Sequence, residues 1–160
     1  MTLPVFAEHY TIPKTMRAAV LCGPQDIRLL DRPVPQSGPG EVLVQVAMCG
    51  TCGTDLKIYD GHFPLTLPFG AFTPGHEWTG TVVALGETAD ECAVGDRVCI
   101  EAHHGCGRCD NVKRAVSLAA QGRMRGSNLV THEFPLENIA EAFRVMRERI
   151  DDPIKIVIIP

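Results

Sequence analysis

Six residues stand out for the chemistry that their types and spacing permit. In "CGTCGTD", residues 49 to 55, Cys52 is followed by Thr54 and Asp55, so a thiolate, a hydroxyl and a carboxylate fall within four positions. In "GHEWTGTVVALG", His76 and Glu77 stand just ahead of a strand-like run, offering an imidazole and a second carboxylate. Thiolate, imidazole and carboxylate are the donor set that zinc prefers, and carboxylates also orient zinc-bound histidines from behind. The pair Cys49 and Cys52 also has the Cys-x-x-Cys spacing of a thioredoxin-like redox centre, but the βαβ context that such a centre needs is missing.

A second cluster, "HHGCGRCDN", places Cys106 and Cys109 behind His103 and His104. This is the opening half of a four-cysteine zinc knuckle, which needs another pair close behind. No cysteine follows Cys109; the chain runs instead into Lys113, Arg114 and an alanine-rich stretch. His103 or His104 is a substitute ligand in an alternative arrangement, and two solvent-facing thiols beside loop histidines are the plainer reading.

The elements that must position these residues are short. "MRAAVLC" and "DIRLLDRPV" read as strands split by a turn, and Val42, Val44 and Val46 alternate as in a half-buried strand. "TGTVVALG" and "GDRVCIE" are two more strands bounded by glycine. Together they predict a compact antiparallel barrel or sandwich before residue 103. From Asn111 and Val112 the character changes abruptly. "VKRAVSLAAQG" has helical composition and ends on Gly122, and "SNLVTHEF" is strand-like. "PLENIAEAFRVMRERI" puts Ile139, Phe143 and Met146 on one helical face, and "PIKIVII" closes as a strand expected to pair with the N-terminal half.

Composition bounds the function classes. The 160 residues suffice for one domain with a sizeable core, and 45% apolar content fits a globular protein. Fifteen glycines and twelve prolines suit a turn-rich β-protein, giving a fold mainly of strands with a few helices. A net charge of −4 offers no nucleic-acid surface, and no apolar run reaches the roughly 18 residues of a membrane span. Residues 1–15 lack an apolar signal core and read as an N-terminal extension. The seven cysteines favour thiols and metal ligands over a disulfide framework, hence a cytoplasmic protein, with Cys22, Cys92 and Cys99 expected as buried small hydrophobes.

Several motifs occur in one order: "SGPGEVLVQV", "CGTD", "GHE" with glycines at 75, 80 and 86, "GDRV", "CGRC" and "THEFPLENIAEAF". The combination closely resembles the zinc-containing medium-chain alcohol dehydrogenases, over nearly everything from Met16 to Pro160. The resemblance implies a GroES-like β-barrel catalytic domain, residues 16–160, into which the family inserts a Rossmann domain. Here that domain is missing, and residues 16–111 are joined to 112–160 across the gap. In the family a further cysteine would stand where Val112 does, so half of the structural zinc lobe is missing too. No Gly-x-Gly-x-x-Gly follows a strand anywhere in the chain.

Carried over by the resemblance, Cys52 and His76 are two catalytic zinc ligands, and Asp55 orients the histidine. Thr54 accepts a hydrogen bond from the substrate alcohol and begins the proton relay, and Glu77 is a group behind the ligands or a replaceable ligand. The third zinc ligand belongs to the missing stretch, so zinc is expected to bind weakly or partially. Many members continue the proton relay through a histidine five residues after the cysteine; this chain has Lys57 there. The implied reaction is oxidation of an alcohol to a carbonyl, or the reverse, with NAD(P) as hydride partner in the parent enzyme and no activity in the isolated chain. The implied partners are a small alcohol or carbonyl substrate and a second copy, meeting through surface that the missing domain would cover. The alternative is a non-enzymatic GroES-like binding or assembly module.

Overall fold

The computed structural model describes residues 10–64, 66–101, 111–123 and 129–160, so His103, His104, Cys106 and Cys109 lie outside the described residues. Seven strands and three helices are described, in two sheets. Strands β1 (Thr15–Gly23) and β2 (Asp26–Pro33) form an antiparallel hairpin that is a sheet by itself. The other five are β3 (Val42–Gly50), β4 (Glu77–Leu85), β5 (Arg97–Cys99), β6 (Val130–Pro135) and β7 (Lys155–Ile159), laid side by side as β5-β4-β3-β7-β6.

The strands read before residue 103 are all present and all pair antiparallel, as their alternation predicts. The "GDRVCIE" strand is shorter than its sequence suggests, only Arg97–Cys99. Its first half is spent on a turn, where Asp96 accepts from the Ala93 N–H at 2.9 Å and the Gly95 N–H donates to Val82. "PIKIVII" becomes β7 and does meet the N-terminal half, pairing antiparallel with β3 at Cys49 and Gly50. On its other side it runs parallel to β6. The C-terminal strand therefore sits inside the sheet, with partners from both ends of the chain.

The core is built where sequence-distant elements converge. Ala19, Leu21 and Ile27 of the hairpin meet Ile156 and Ile158 of β7 and the buried faces of two helices. Helix α1 (Gly53–Tyr59) contributes Ile58 and Tyr59. Helix α3 (Ile139–Glu148), entered through a 3-10 turn over Leu136–Asn138, contributes Ile139, Ala142, Phe143 and Val145. Of the predicted face, Ile139 and Phe143 are buried and Met146 packs partly buried against the same cluster. Tyr59 stacks on Phe143 with ring centroids 4.5 Å apart, tying α1 to α3. Helix α2 (Asn111–Ala120) lies on the surface with Val116 exposed, and Gly122 follows it at φ 69°, the left-handed conformation that ends a helix.

One reading needs correction. Cys99 is exposed and Cys22 and Cys92 are only half-buried, so none of the three is a core residue. Cys99 ends the short edge strand β5, and Cys22 stands at the bulge closing β1, so both sit at the ends of strands and not in their packed middles. Tyr10 to Pro13 line a cleft shared with the hairpin and the larger sheet.

Candidate metal and substrate site

The site forms where β3 hands over to α1. Cys52 is the N-cap of that helix, in extended backbone (φ −129°, ψ 173°), and its Sγ accepts the Thr54 N–H at 3.2 Å. Asp55, three residues on, returns its Oδ2 to the Cys52 N–H at 2.9 Å, completing a capping box. "CGTD" is therefore a helix start as well as a donor set. The sequence reading saw the donors and missed the helix, which a capping Cys-x-x-Asp pattern and the following Leu56, Ile58 and Tyr59 signal.

His76 arrives from the other side, in the turn before β4. Gly75 just ahead of it has φ 108°, and a Cβ there would stand 2.8 Å from Cys49 Sγ, so only glycine fits. The turn brings His76 Nε2 to 3.1 Å from Cys52 Sγ and His76 Nδ1 to 3.4 Å from Asp55 Oδ1. Asp55 is 1% exposed, and its Oδ1 makes no hydrogen bond among the described residues. A buried carboxylate oxygen without a partner is costly. The nearest relief is a proton on His76 Nδ1, which leaves the Nε2 lone pair free beside the thiol sulfur.

That tautomer is the metal-binding one, and the donors suit zinc. A tetrahedral zinc holds thiolate sulfur and imidazole nitrogen about 3.5 Å apart. The 3.1 Å separation here therefore needs to open by only a few tenths of an ångström. Glu77 joins them: one donor atom from each of Cys52, His76 and Glu77 lies within 4.8 Å of the others. The structure thus gathers Cys52, Asp55, His76 and Glu77, while Thr54 is exposed on the first turn of α1 beside them. Lys57 is exposed on the same helix, in its last turn.

Cys49 takes no part in this group. It is half-buried on β3, and burial foremost, with the nearby Asp55 and Glu77 charges adding to it, pushes its thiol above the ordinary value. A cleft of about 610 Å³ runs between the hairpin and the larger sheet, reaching Thr51 and Asp55 at one end. Of the aromatics that the sequence offers as pocket residues, Trp78 lines it, while Tyr59, Phe63 and Phe72 pack into or against the core.

The alcohol dehydrogenase GroES-like domain family matches residues 38–134, more than half of the chain. The chain belongs to this family. Among curated relatives of this GroES-like chain, the sorbitol dehydrogenase of Bacillus subtilis is 38% identical over 108 residues, covering 65% of this chain and 30% of the relative. The erythritol/L-threitol dehydrogenase of Mycolicibacterium smegmatis is 42% identical over 113 residues, 64% of this chain and 31% of the relative. Among solved structures, the acetophenone reductase of Geotrichum candidum in complex with NAD superposes with a TM-score of 0.54 at 33% identity, over 66% of this chain and 31% of its own. An alcohol dehydrogenase from Thermus sp. ATN1 gives a TM-score of 0.51 at 35% identity, over 62% and 28% of the two chains. The GroES-like chain thus spans about a third of the length of these relatives.

Proposed function

We propose that this chain is the zinc- and substrate-binding domain of a zinc-dependent dehydrogenase that acts on a small alcohol or polyol and uses NAD(P) carried by a domain outside it. The observation that carries the reading is the convergence of Cys52, His76 and buried Asp55 in a member of this family. The polyol class rests on the relatives named for sorbitol and erythritol/L-threitol.

Cys52 and His76 would hold the zinc, with Glu77 in reserve as a third protein ligand. When bound, zinc supplies Lewis acidity toward an alcohol oxygen and lowers its pKa. The chain's own residues do the rest. Asp55 keeps a proton on His76 Nδ1 and fixes the ring. The capping bonds hold Cys52 Sγ at the mouth of α1. Thr54, exposed next to that sulfur, presents a hydroxyl that would accept a hydrogen bond from the substrate alcohol and hand its own proton outward as it receives the substrate's. Lys57 faces solvent on the same helix and is given no part in the relay.

In this reading 16–111 and 112–160 flank the place of a dinucleotide domain, which the greater length of the relatives supports. Cys106 and Cys109 are half of a structural zinc lobe. The chain by itself is inactive, weakly self-associating and cytoplasmic.

Zinc titration against a chelating dye tests the site. Cys52→Ser and His76→Ala should each remove zinc binding at this site, and Cys106→Ser should leave it. If only the Cys106 change matters, the metal belongs to the half lobe and the proposed site is wrong.

A further inference from the structure

The cleft between the hairpin and the larger sheet is separate from the metal group. None of Cys52, Thr54, His76 and Glu77 lines it. Strand alternation makes the division, because neighbouring residues of β4 project to opposite faces. Glu77 turns toward Cys52 and His76, and Trp78 turns into the cleft. The walls are apolar, with Ala18 and Ala19 of β1, Val44 and Val46 of β3 and Phe143 of α3. At about 610 Å³ the cleft falls within the roughly 300–1,000 Å³ of small-molecule sites, which are mostly apolar with a few polar groups.

Two charged residues line this cleft, and they differ in what holds them. Arg17 is exposed and already ion-paired with Glu137. Asp55 is 1% exposed, and its one basic partner among the described residues is His76, with Nδ1 at 3.4 Å from Oδ1. A carboxylate oxygen has two lone pairs, and the imidazole can occupy only one of them. Thr51, at the same end of the cleft, donates its hydroxyl to the Ile156 carbonyl at 3.3 Å and keeps its own oxygen free to accept. A buried carboxylate short of donors attracts a cation that can hydrogen-bond and repels an anion.

We propose that this cleft is a second ligand site, for an elongated apolar molecule that ends in a primary ammonium. The ammonium sits at the Thr51–Asp55 end, and the alkyl body lies along the apolar walls of β1 and β3. The three N–H donors of the head match acceptors on Asp55 and Thr51. This site goes beyond the dehydrogenase reading and does not depend on a bound metal, because none of the proposed ligands lines it.

Trp78 is the chain's one tryptophan, so its emission reports on the cleft directly. The probes are linear primary amines from butylamine to octylamine, with octanol and octanoate beside them. All are titrated with a chelator present, so that no metal takes the amine. Octylamine should change the emission saturably and bind roughly tenfold more tightly than octanol, the factor that one charge-assisted hydrogen bond contributes. Octanoate should bind most weakly. Affinity should rise about fourfold for each methylene added to the amine, as burial of the chain requires. Asp55→Asn should bring octylamine down to the affinity of octanol, and Cys52→Ser should change nothing. Val83→Phe adds bulk to the lining and should weaken every probe, with thermal melting to verify the fold. If no probe changes the wild-type emission saturably, or if octanol or octanoate binds as tightly as octylamine, the proposal is refuted. Loss of the signal in Cys52→Ser would place the amine at the metal group and refute the cleft site as well, while zinc titration decides the zinc reading independently.

Discussion

One carboxylate, that of Asp55, serves two partners: its Oδ2 accepts the Cys52 N–H at 2.9 Å and its Oδ1 faces His76 Nδ1 at 3.4 Å. The residue that starts helix α1 is thus also the one that aims the histidine, so helix stability and metal affinity are coupled through a side chain that is 1% exposed. Asp55→Asn preserves the shape and the capping acceptor but loses the charge that holds a proton on Nδ1. We expect metal affinity to fall by about 10- to 100-fold. Asp55→Ala loses the cap as well and should cost a further ~1 kcal/mol of stability. Zinc titration together with urea unfolding separates the two losses. Equal metal affinity in wild type and Asp55→Asn would mean that the carboxylate does not orient the ring.

Strand β7 lies between β3 and β6, and its Ile156 and Ile158 belong to the core cluster. Removing residues 150–160 opens the sheet in its middle and strips buried surface from α3 and the hairpin together. The shortened chain should lose its cooperative thermal transition and its tertiary circular dichroism. A truncated chain that melts like the full one would show that β7 is an appendage and not an internal strand.

Cys49 gives the fold a pH dependence of known sign. Its thiol has an ordinary value of 9.0, and burial raises it in the folded chain. Above that ordinary value the unfolded chain releases the proton while the folded chain keeps it, so the folded state binds more protons and stability falls as pH rises. The contribution is intact below the unfolded value and is lost as pH rises through the folded one. Urea midpoints measured from pH 7 to pH 10 should decline, and Cys49→Ala should flatten the part that begins near 9. Unchanged curvature in Cys49→Ala would assign the decline to other groups, such as Tyr59, whose hydroxyl is also pushed up by burial.

What could be read without coordinates was what is written locally. Alternating Val42, Val44 and Val46, the glycine-bounded runs and the Ile139–Phe143–Met146 spacing each encode one element through its own period, so the strands and α3 were legible. So were the donors Cys52, Asp55, His76 and Glu77, because donor chemistry is a property of residue type. The family resemblance added the role expected of each. Local pattern did not show that Cys99 sits on a bare sheet edge, since burial depends on which layer covers a strand and not on the strand itself. Nor did it show that α1 begins at Cys52, where capping and ligation use the same atoms. The meeting of Glu77 and Lys155, 78 residues apart, exists only because β4 and β7 both pair with Gly50 and that residue has no side chain to keep them apart. Periodicity and residue type are local quantities and survive in the sequence. Which strands become neighbours is set by the packing of the whole chain, and only the folded structure decides it.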